Sequence, residues 1–524
     1  MGMVIRGFTV RALMVLAATA VLVVGGCAGD PVTSASAAPA PLSEQVLSVG
    51  LTRIAEIYLQ PVDLAKLCAD GLGGLRTLDP MLRIERDAGA ISISRGSRQV
   101  TEFAIPEGED PAAWATLTTR AVERARQFSP QLYEATPDQL YQAVFDGLLA
   151  DLDSYSRYTT PQRANSERAV REGYGGVGLS LEARNGRYLV REVTADGPAD
   201  RSGIVIGEAV DTIDGTAART LSAQQVHDSL RGTPGSVVRL GVIPARGGAA
   251  AGRLVSLHRE RVISNSVQAR IDNGVAVIKV ERFNAATAAN LRDTVDEAMA
   301  RLGHGAKGFV LDLRGNPGGL LDQAVAVADL FIRRGRVVST AGRHPDSWQR
   351  FDAIGEDILH DRPLVVLIDG RSASAAEIVA AALQDSGRAV VVGASSFGKG
   401  SVQTVTRLPN DGELFLTWSR IYAPSGYTLH RQGVQPTVCT SREDTDPDTV
   451  LAPLRNGQME APSEIARWRA AAPDDQAALE HLRQACPWKA HEAELDVRVA
   501  ERLLAVPVLY RSALALSTTA VAER

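Results

Sequence analysis

Lysine is nearly absent from this chain: of its 56 basic residues only five are lysine, namely Lys66, Lys279, Lys307, Lys399 and Lys489. A solvated positive charge is therefore ordinarily written as arginine here. A lysine kept in place asks for chemistry that arginine, which does not give up its proton in a protein, cannot perform. Histidine and cysteine are sparse too. The eight histidines show no metal-ligand spacing and the four cysteines form no Cys/His cluster, which argues against a metal hydrolase and leaves no metal or cofactor indicated. With both signs interspersed and a net charge of −5, the chain offers no surface for nucleic acid. A membrane-spanning run is missing as well, since the apolar stretch Ala12 to Val24 is shorter than the roughly 20 residues needed.

What that stretch does have is Arg6 and Arg11 before it and Gly25-Gly26-Cys27 after it, the order of a secretory signal. Cysteine after two glycines resembles a bacterial lipobox. It implies lipidation at Cys27 and a place on the periplasmic side of the cell envelope; a plain signal peptide with an incidental cysteine is the alternative. Residues 1–26 thus read as a lipoprotein-type signal and 27–41, rich in Ser, Ala and Pro, as a flexible tether. Export permits a disulfide, so Cys439 and Cys486 either pair or remain buried thiols.

The 524-residue length, with 45% hydrophobic and 22% charged residues, suits two to four globular domains. Residues 42–170 carry mostly helical periodicity, with a weak echo of Ala69-Asp70-Gly71-Leu72 in Phe145-Asp146-Gly147-Leu148. Short glycine-broken runs over 171–262 predict a small antiparallel sheet with one or two helices. From 273 onward, strands at 275–280, 309–313, 364–368 and 389–392 alternate with helices at 285–302 and 320–331, which predicts an α/β layered domain. Residues 441–524 return to Ala/Leu-rich helix without an interpretable motif.

Lys399 sits in Ser396-Phe397-Gly398-Lys399-Gly400, just after an apolar strand. Gly393-x-x-x-x-Gly398-Lys399 matches most of a phosphate-binding loop. It fails at Gly400, where Ser or Thr would bind magnesium, and 401–406 alternates like a strand. As a general base the amine would have to fall from about 10.4 towards 7 or 8, which asks roughly 3–4 kcal/mol of its surroundings. Upstream, Ser374-Ala375-Ala376-Glu377 opens an apolar helix pattern. Ser-x-x-Glu is equally a capping box, and Ser372 is a rival nucleophile. A serine there lies beside the free N–H groups of a first helical turn, which can hold an oxyanion. Gln403 either orients the amine or is an ordinary polar strand residue. Gly318-Gly319 allow close backbone approach, or form a generic turn.

Taken in order, several long motifs resemble those of the carboxy-terminal processing (tail-specific) serine proteases, over about 145–440. They are Gly175-Gly176-Val177-Gly178-Leu179, Leu230-Arg231-Gly232-Thr233-Pro234-Gly235, Asp312 to Gly319, Ser372 to Glu377, Phe397 to Gln403 and Tyr422-Ala423-Pro424-Ser425-Gly426. The resemblance implies a multidomain α/β protein. Its parts would be a helical N-terminal region (42–170), a PDZ domain (171–262), a ClpP/crotonase-like protease core (263–440) and a helical C-terminal extension (441–524). It implies Ser374 as nucleophile, Lys399 as base, Gln403 as its support, and the N–H groups of Gly318 and Ala375 as oxyanion hole. Gly176, Val177, Gly178 and Leu179 become the loop that holds a substrate carboxylate. Arg231 is either a link from PDZ domain to active site or a solvated arginine, and Asp385 is expected to hold a helix end.

The implied activity is that of a serine-type endopeptidase. Its implied partners are proteins with exposed C-terminal tails, an envelope adaptor, and the membrane through Cys27. Tyr427, Leu429 and Gln435-Pro436-Thr437 depart from the family pattern, and are expected to alter the rim of the site. A non-catalytic PDZ scaffold and a nucleotide-dependent enzyme at Gly393–Lys399 are the rival readings.

Overall fold

The computed structural model describes residues 40–244, 252–441, 446–488 and 493–522. The expected signal 1–26, Cys27 and nearly all of the tether lie outside the described residues. No helix among the described residues is long and apolar enough to cross a membrane.

Helices Leu42–Ile57, Leu64–Gly74, Pro111–Arg126 and Pro137–Leu149 build the N-terminal region. Their starts are written locally: Asp63 and Asp110 accept first-turn N–H groups, and Thr136 with Gln139 forms a reciprocal capping box before Pro137. Gly147 of the echo, and Gly74 three residues past the echoed Gly71, have a packing role. A Cβ added at Gly74 would lie 2.0 Å from the Ala143 carbonyl oxygen, and one at Gly147 2.2 Å from that of Asp70. Helices Leu64–Gly74 and Pro137–Leu149 therefore cross backbone to backbone. Helix does not fill the region, however. Leu82–Arg86, Ala90–Arg95 and Arg98–Ala104 form a three-stranded antiparallel sheet that the helical periodicity did not predict.

Residues 179–258 hold a six-stranded sheet. Its main path runs Arg253–His258, Val237–Ile243, Ala209–Ile213, Arg187–Val193, Leu179–Arg184, with helix Ala223–Leu230 packed against it through Val226 and Leu230. Among the described residues Leu179–Arg184 is a free edge of that sheet. A two-stranded pair, Tyr174–Gly176 with Glu260–Val262, joins this unit to the rest.

The layered core is a second six-stranded sheet in the order Val267–Asp272, Val275–Val280, Gly308–Asp312, Leu364–Ile368, Val390–Gly393, Val438–Cys439, parallel after its first pair. Successive residues face opposite sides. Ala276, Ile278, Phe309, Leu311, Val366 and Val391 pack under helices Thr287–Leu302, Leu321–Asp329 and Ala375–Asp385. Val275, Val277, Val310, Val365, Leu367, Val390 and Val392 pack under Leu495, Val499, Leu503, Leu509 and Tyr510. Those residues belong to helices Ala493–Ala505 and Pro507–Ala522, so the motif-free C-terminal region supplies the second cover of the sheet. A five-stranded sheet completes the core, with strands Gln349–Ala353, Gly335–Ala341, Glu413–Tyr422 and Ser401–Arg407. Its fifth strand, Arg157–Thr159, comes from the N-terminal region and pairs with Glu413–Tyr422.

Candidate active site

The parallel strands Gly308–Asp312 and Leu364–Ile368 end side by side, and the loops that follow them are stitched together. Ala373 N–H donates to Asn316 O at 2.9 Å, and Gly315 N–H to Asp369 Oδ1 at 2.8 Å. Ser372 is fully buried there. Its hydroxyl donates to Leu313 O and accepts from Asp369 N–H, both at 2.9 Å. The rival nucleophile is thus locked into the turn.

Ser374 stands directly before helix Ala375–Asp385 with φ +55° and ψ −114°, a conformation a side chain adopts only under strain. Gly318 packs on it so closely that an added Cβ would lie 2.8 Å from Ser374 Cβ and 3.0 Å from Ala375 N. Gly318 itself has φ +97°, so glycine is required twice over. Ala375 opens the helix, where its N–H has no intrahelical acceptor. The Gly318 N–H donates to Asn316 Oδ1 at 2.8 Å, while the fully buried Asn316 gives its amide to Val280 O. One of the two expected oxyanion donors is therefore engaged within the protein in this structure.

Glu377 is the member of the site that sequence reasoning took only for a cap. It is fully buried. One carboxylate oxygen accepts from Ser396 Oγ (2.5 Å) and Gly398 N–H (2.6 Å), the other from Ser374 N–H (2.7 Å) and Lys399 N–H (2.9 Å). Burial pushes its pKa up, against donors that favour the charged form. The signal that could have found it is its setting, because a charge inside an otherwise apolar helix must be fully bonded. The same carboxylate fills the backbone amides that a phosphate would need, and Ser401–Arg407 is a strand rather than a helix. The nucleotide reading thus finds no free backbone N–H at Gly398 or Lys399.

Lys399 is partly buried, with its amine 5.0 Å from the centre of the Tyr155 ring. Burial first, then repulsion from Arg157, holds its pKa below the ordinary value of 10.5, opposed by Glu377 and Asp153. Gly400 lets the loop lie on its neighbour, since a Cβ there would meet His430 N at 1.8 Å. Gln403 turns its amide to Ser401 Oγ (3.0 Å) and Thr417 Oγ1 (3.1 Å) rather than to the lysine. Thr417 passes the chain on to Asp153 at 2.9 Å, and Asp153 accepts the Tyr155 N–H at 2.8 Å. Sequence reasoning missed this line from Gln403 to the loop under the amine.

Leu179, Leu181 and Ala183 of the edge strand face Val226, His227 and Leu230 across a cavity of about 350 Å³. The preceding loop is fixed by Ala199 N–H on Val177 O and Thr194 N–H on Gly178 O, with Gly178 at φ +73° and Gly176 in the connecting strand. Arg231 caps helix Ala223–Leu230, and its guanidinium lies 4.1 Å over the Tyr174 ring. It therefore touches the connecting strand.

Asp385 ends its helix, accepts Ser425 N–H at 2.9 Å and pairs with the buried Arg469. Cys439 and Cys486 form a disulfide. Tyr427, Leu429, Gln435 and Thr437 are buried, so these departures lie inside the core and not on the rim as expected.

Residues 274–440 match the model of peptidase family S41. The carboxy-terminal-processing protease of Bartonella bacilliformis is 35% identical over 310 residues, which are 58% of this chain and 71% of that protein. A carboxyl-terminal-processing protease of Picosynechococcus sp. is 32% identical over 354 residues, 66% of this chain and 82% of that one. The solved photosystem II D1 C-terminal processing protease aligns at 25% identity with a TM-score of 0.39, covering 80% of this chain and 99% of its own.

Proposed function

The chain belongs to peptidase family S41, with the carboxy-terminal processing proteases, and from that premise we propose a serine endopeptidase working through Ser374 and Lys399. Neutral Lys399 takes the Ser374 proton as Oγ bonds to the peptide carbonyl carbon. Ala375 N–H and Gly318 N–H, the latter released by Asn316, hold the resulting oxyanion. The amine leaves with the lysine's proton, and water then cleaves the acyl-enzyme. Substrate tails would add as a strand to the free edge Leu179–Arg184, with their carboxylate at Gly176–Leu179, the mode of a PDZ domain. The signal-like order of residues 1–26 and Cys27 in the sequence support a site of action on the periplasmic side of the envelope, on a lipid anchor.

The observation that carries the reading is Glu377, whose carboxylate bonds the backbones of both Ser374 and Lys399. The test is cleavage of an unfolded substrate with an apolar C-terminal tail. Ser374→Ala and Lys399→Arg should each abolish it, the second because arginine keeps the charge but cannot act as a base. Full activity in either variant sinks the assignment. A covalent serine probe that labels the wild type but not Ser374→Ala separates the peptidase from a non-catalytic scaffold.

A further inference from the structure

The stretch 483–488 lies far along the chain from Ser374 and Lys399, yet it touches both loops that carry them. The Arg483 guanidinium donates to four backbone carbonyl oxygens: Ser396 (3.0 Å), Phe397 (3.3 Å), Arg431 (2.8 Å) and Gln432 (3.2 Å). Ser396 and Gly398, on either side of Phe397, are the residues that bond one oxygen of Glu377. Three residues after Arg483, the Cys486 carbonyl accepts the Ser395 hydroxyl at 2.7 Å. Trp488 then packs on the turn that leads into Ser374, where a Cβ added at Gly370 would lie 2.2 Å from its Cγ.

Leu482 packs part-buried against the core, and the Arg483 guanidinium lies 5.5 Å from the centre of the Trp468 ring. In helix Gln476–Arg483 only Leu479 is fully buried, and from there to Trp488 only Cys486. A segment with so few apolar contacts opens at low cost. The disulfide from Cys486 ties it covalently to Cys439, on the last parallel strand of the sheet.

We propose that Arg483 is a positioning residue for the Lys399 loop, held in register by the Cys439–Cys486 disulfide, so that peptidase activity depends on the oxidised pair. The proposal rests on the Ser374/Lys399 reading above. A planar guanidinium can serve several carbonyls at fixed angles, which a lysine ammonium in its place cannot. Reduction by a dithiol would convert the bond to two thiols, with two electrons and two protons passing from a reductant that closes to a cyclic disulfide. Arg483 would then leave the four carbonyls, and the loop would loosen around the lysine. The enzyme would thus be slack in a reducing compartment and tighten on entering an oxidising one.

The test compares wild type, Arg483→Gln, Arg483→Lys, and wild type reduced with dithiothreitol and blocked with iodoacetamide, on the apolar-tailed substrate across pH. Arg483→Gln and the reduced enzyme should lose kcat on the order of 10- to 100-fold, with KM within about twofold of wild type. The acidic limb of the pH profile should move to higher pH, because a loosened loop lets water reach the amine. Arg483→Lys should recover only part of the loss. Unchanged kcat and pH profile in Arg483→Gln and the reduced enzyme overturn the proposal. A loss that follows the folded fraction with an unmoved limb also overturns it, since that is what a purely structural clamp would give. If wild-type cleavage survives Ser374→Ala, the peptidase reading fails on its own, before Arg483 is consulted.

Discussion

A carboxylate buried in an apolar helix is stable only when both its oxygens are bonded, and Glu377 meets that condition with donors from two separate loops. Glu377→Gln keeps the shape but turns an amide NH₂ towards N–H groups that need an acceptor. It should destabilise the fold by about 1–3 kcal/mol, read by thermal melting, and cut cleavage with it. The lysine gives a pH prediction of definite sign. Burial makes the folded chain hold the Lys399 proton less tightly than the unfolded chain does. Rising pH therefore both supplies the neutral base and favours the fold. The acidic limb of wild-type kcat/KM should have its midpoint below 10.5, the ordinary lysine value. At this scale the sequence was legible where composition made a residue unusual, as with one glycine-flanked lysine in an arginine-rich chain. Glu377 was hidden because Ser-x-x-Glu reads the same whether it caps a helix or staples two loops.

Between elements, close contact is set by what a position lacks. Gly74 and Gly147 let two helices meet backbone to backbone, while Gly73, one residue away, has nothing within 4 Å of its would-be Cβ. Gly74→Ala should therefore cost about 1–3 kcal/mol or more through forced separation. Gly73→Ala should gain up to about 1 kcal/mol from helix propensity alone. Urea titrations of the two variants, moving in opposite directions, check the pair. The echo that joins these helices was visible in the sequence, but its cause was not. The parallel strands were legible because a sheet covered on both faces writes continuous apolar runs. Leu82–Arg86 escaped because charges alternate with few apolar residues. Arg157–Thr159 escaped because three residues become a strand only beside a partner such as Glu413, 254 positions beyond Thr159.

The molecule as a whole is a sheet with two apolar faces, and one of them is covered from the far end of the chain. Residues 275–440 predicted such a sheet and so implied two covers, but helices at 287–302, 321–329 and 375–385 supply only one. The C-terminal region read only as Ala/Leu-rich helix without a motif; its sequence could not show what it would pack against, since an apolar stripe carries no address for its partner. Leu503 lies fully buried on Val275, Val310 and their neighbours, whereas Val508, five residues on, is 63% exposed. Leu503→Ala should therefore cost about 2–5 kcal/mol, and Val508→Ala should stay within about 0.5 kcal/mol of wild type. Both are read by thermal unfolding. If the C-terminal helices were an appendage to a core that folds without them, the two variants would melt alike and keep equal cleavage. If they are the second cover of the sheet, Leu503→Ala should lower the melting temperature of the whole core and leave less enzyme folded at assay temperature, although Leu503 touches neither Ser374 nor Lys399.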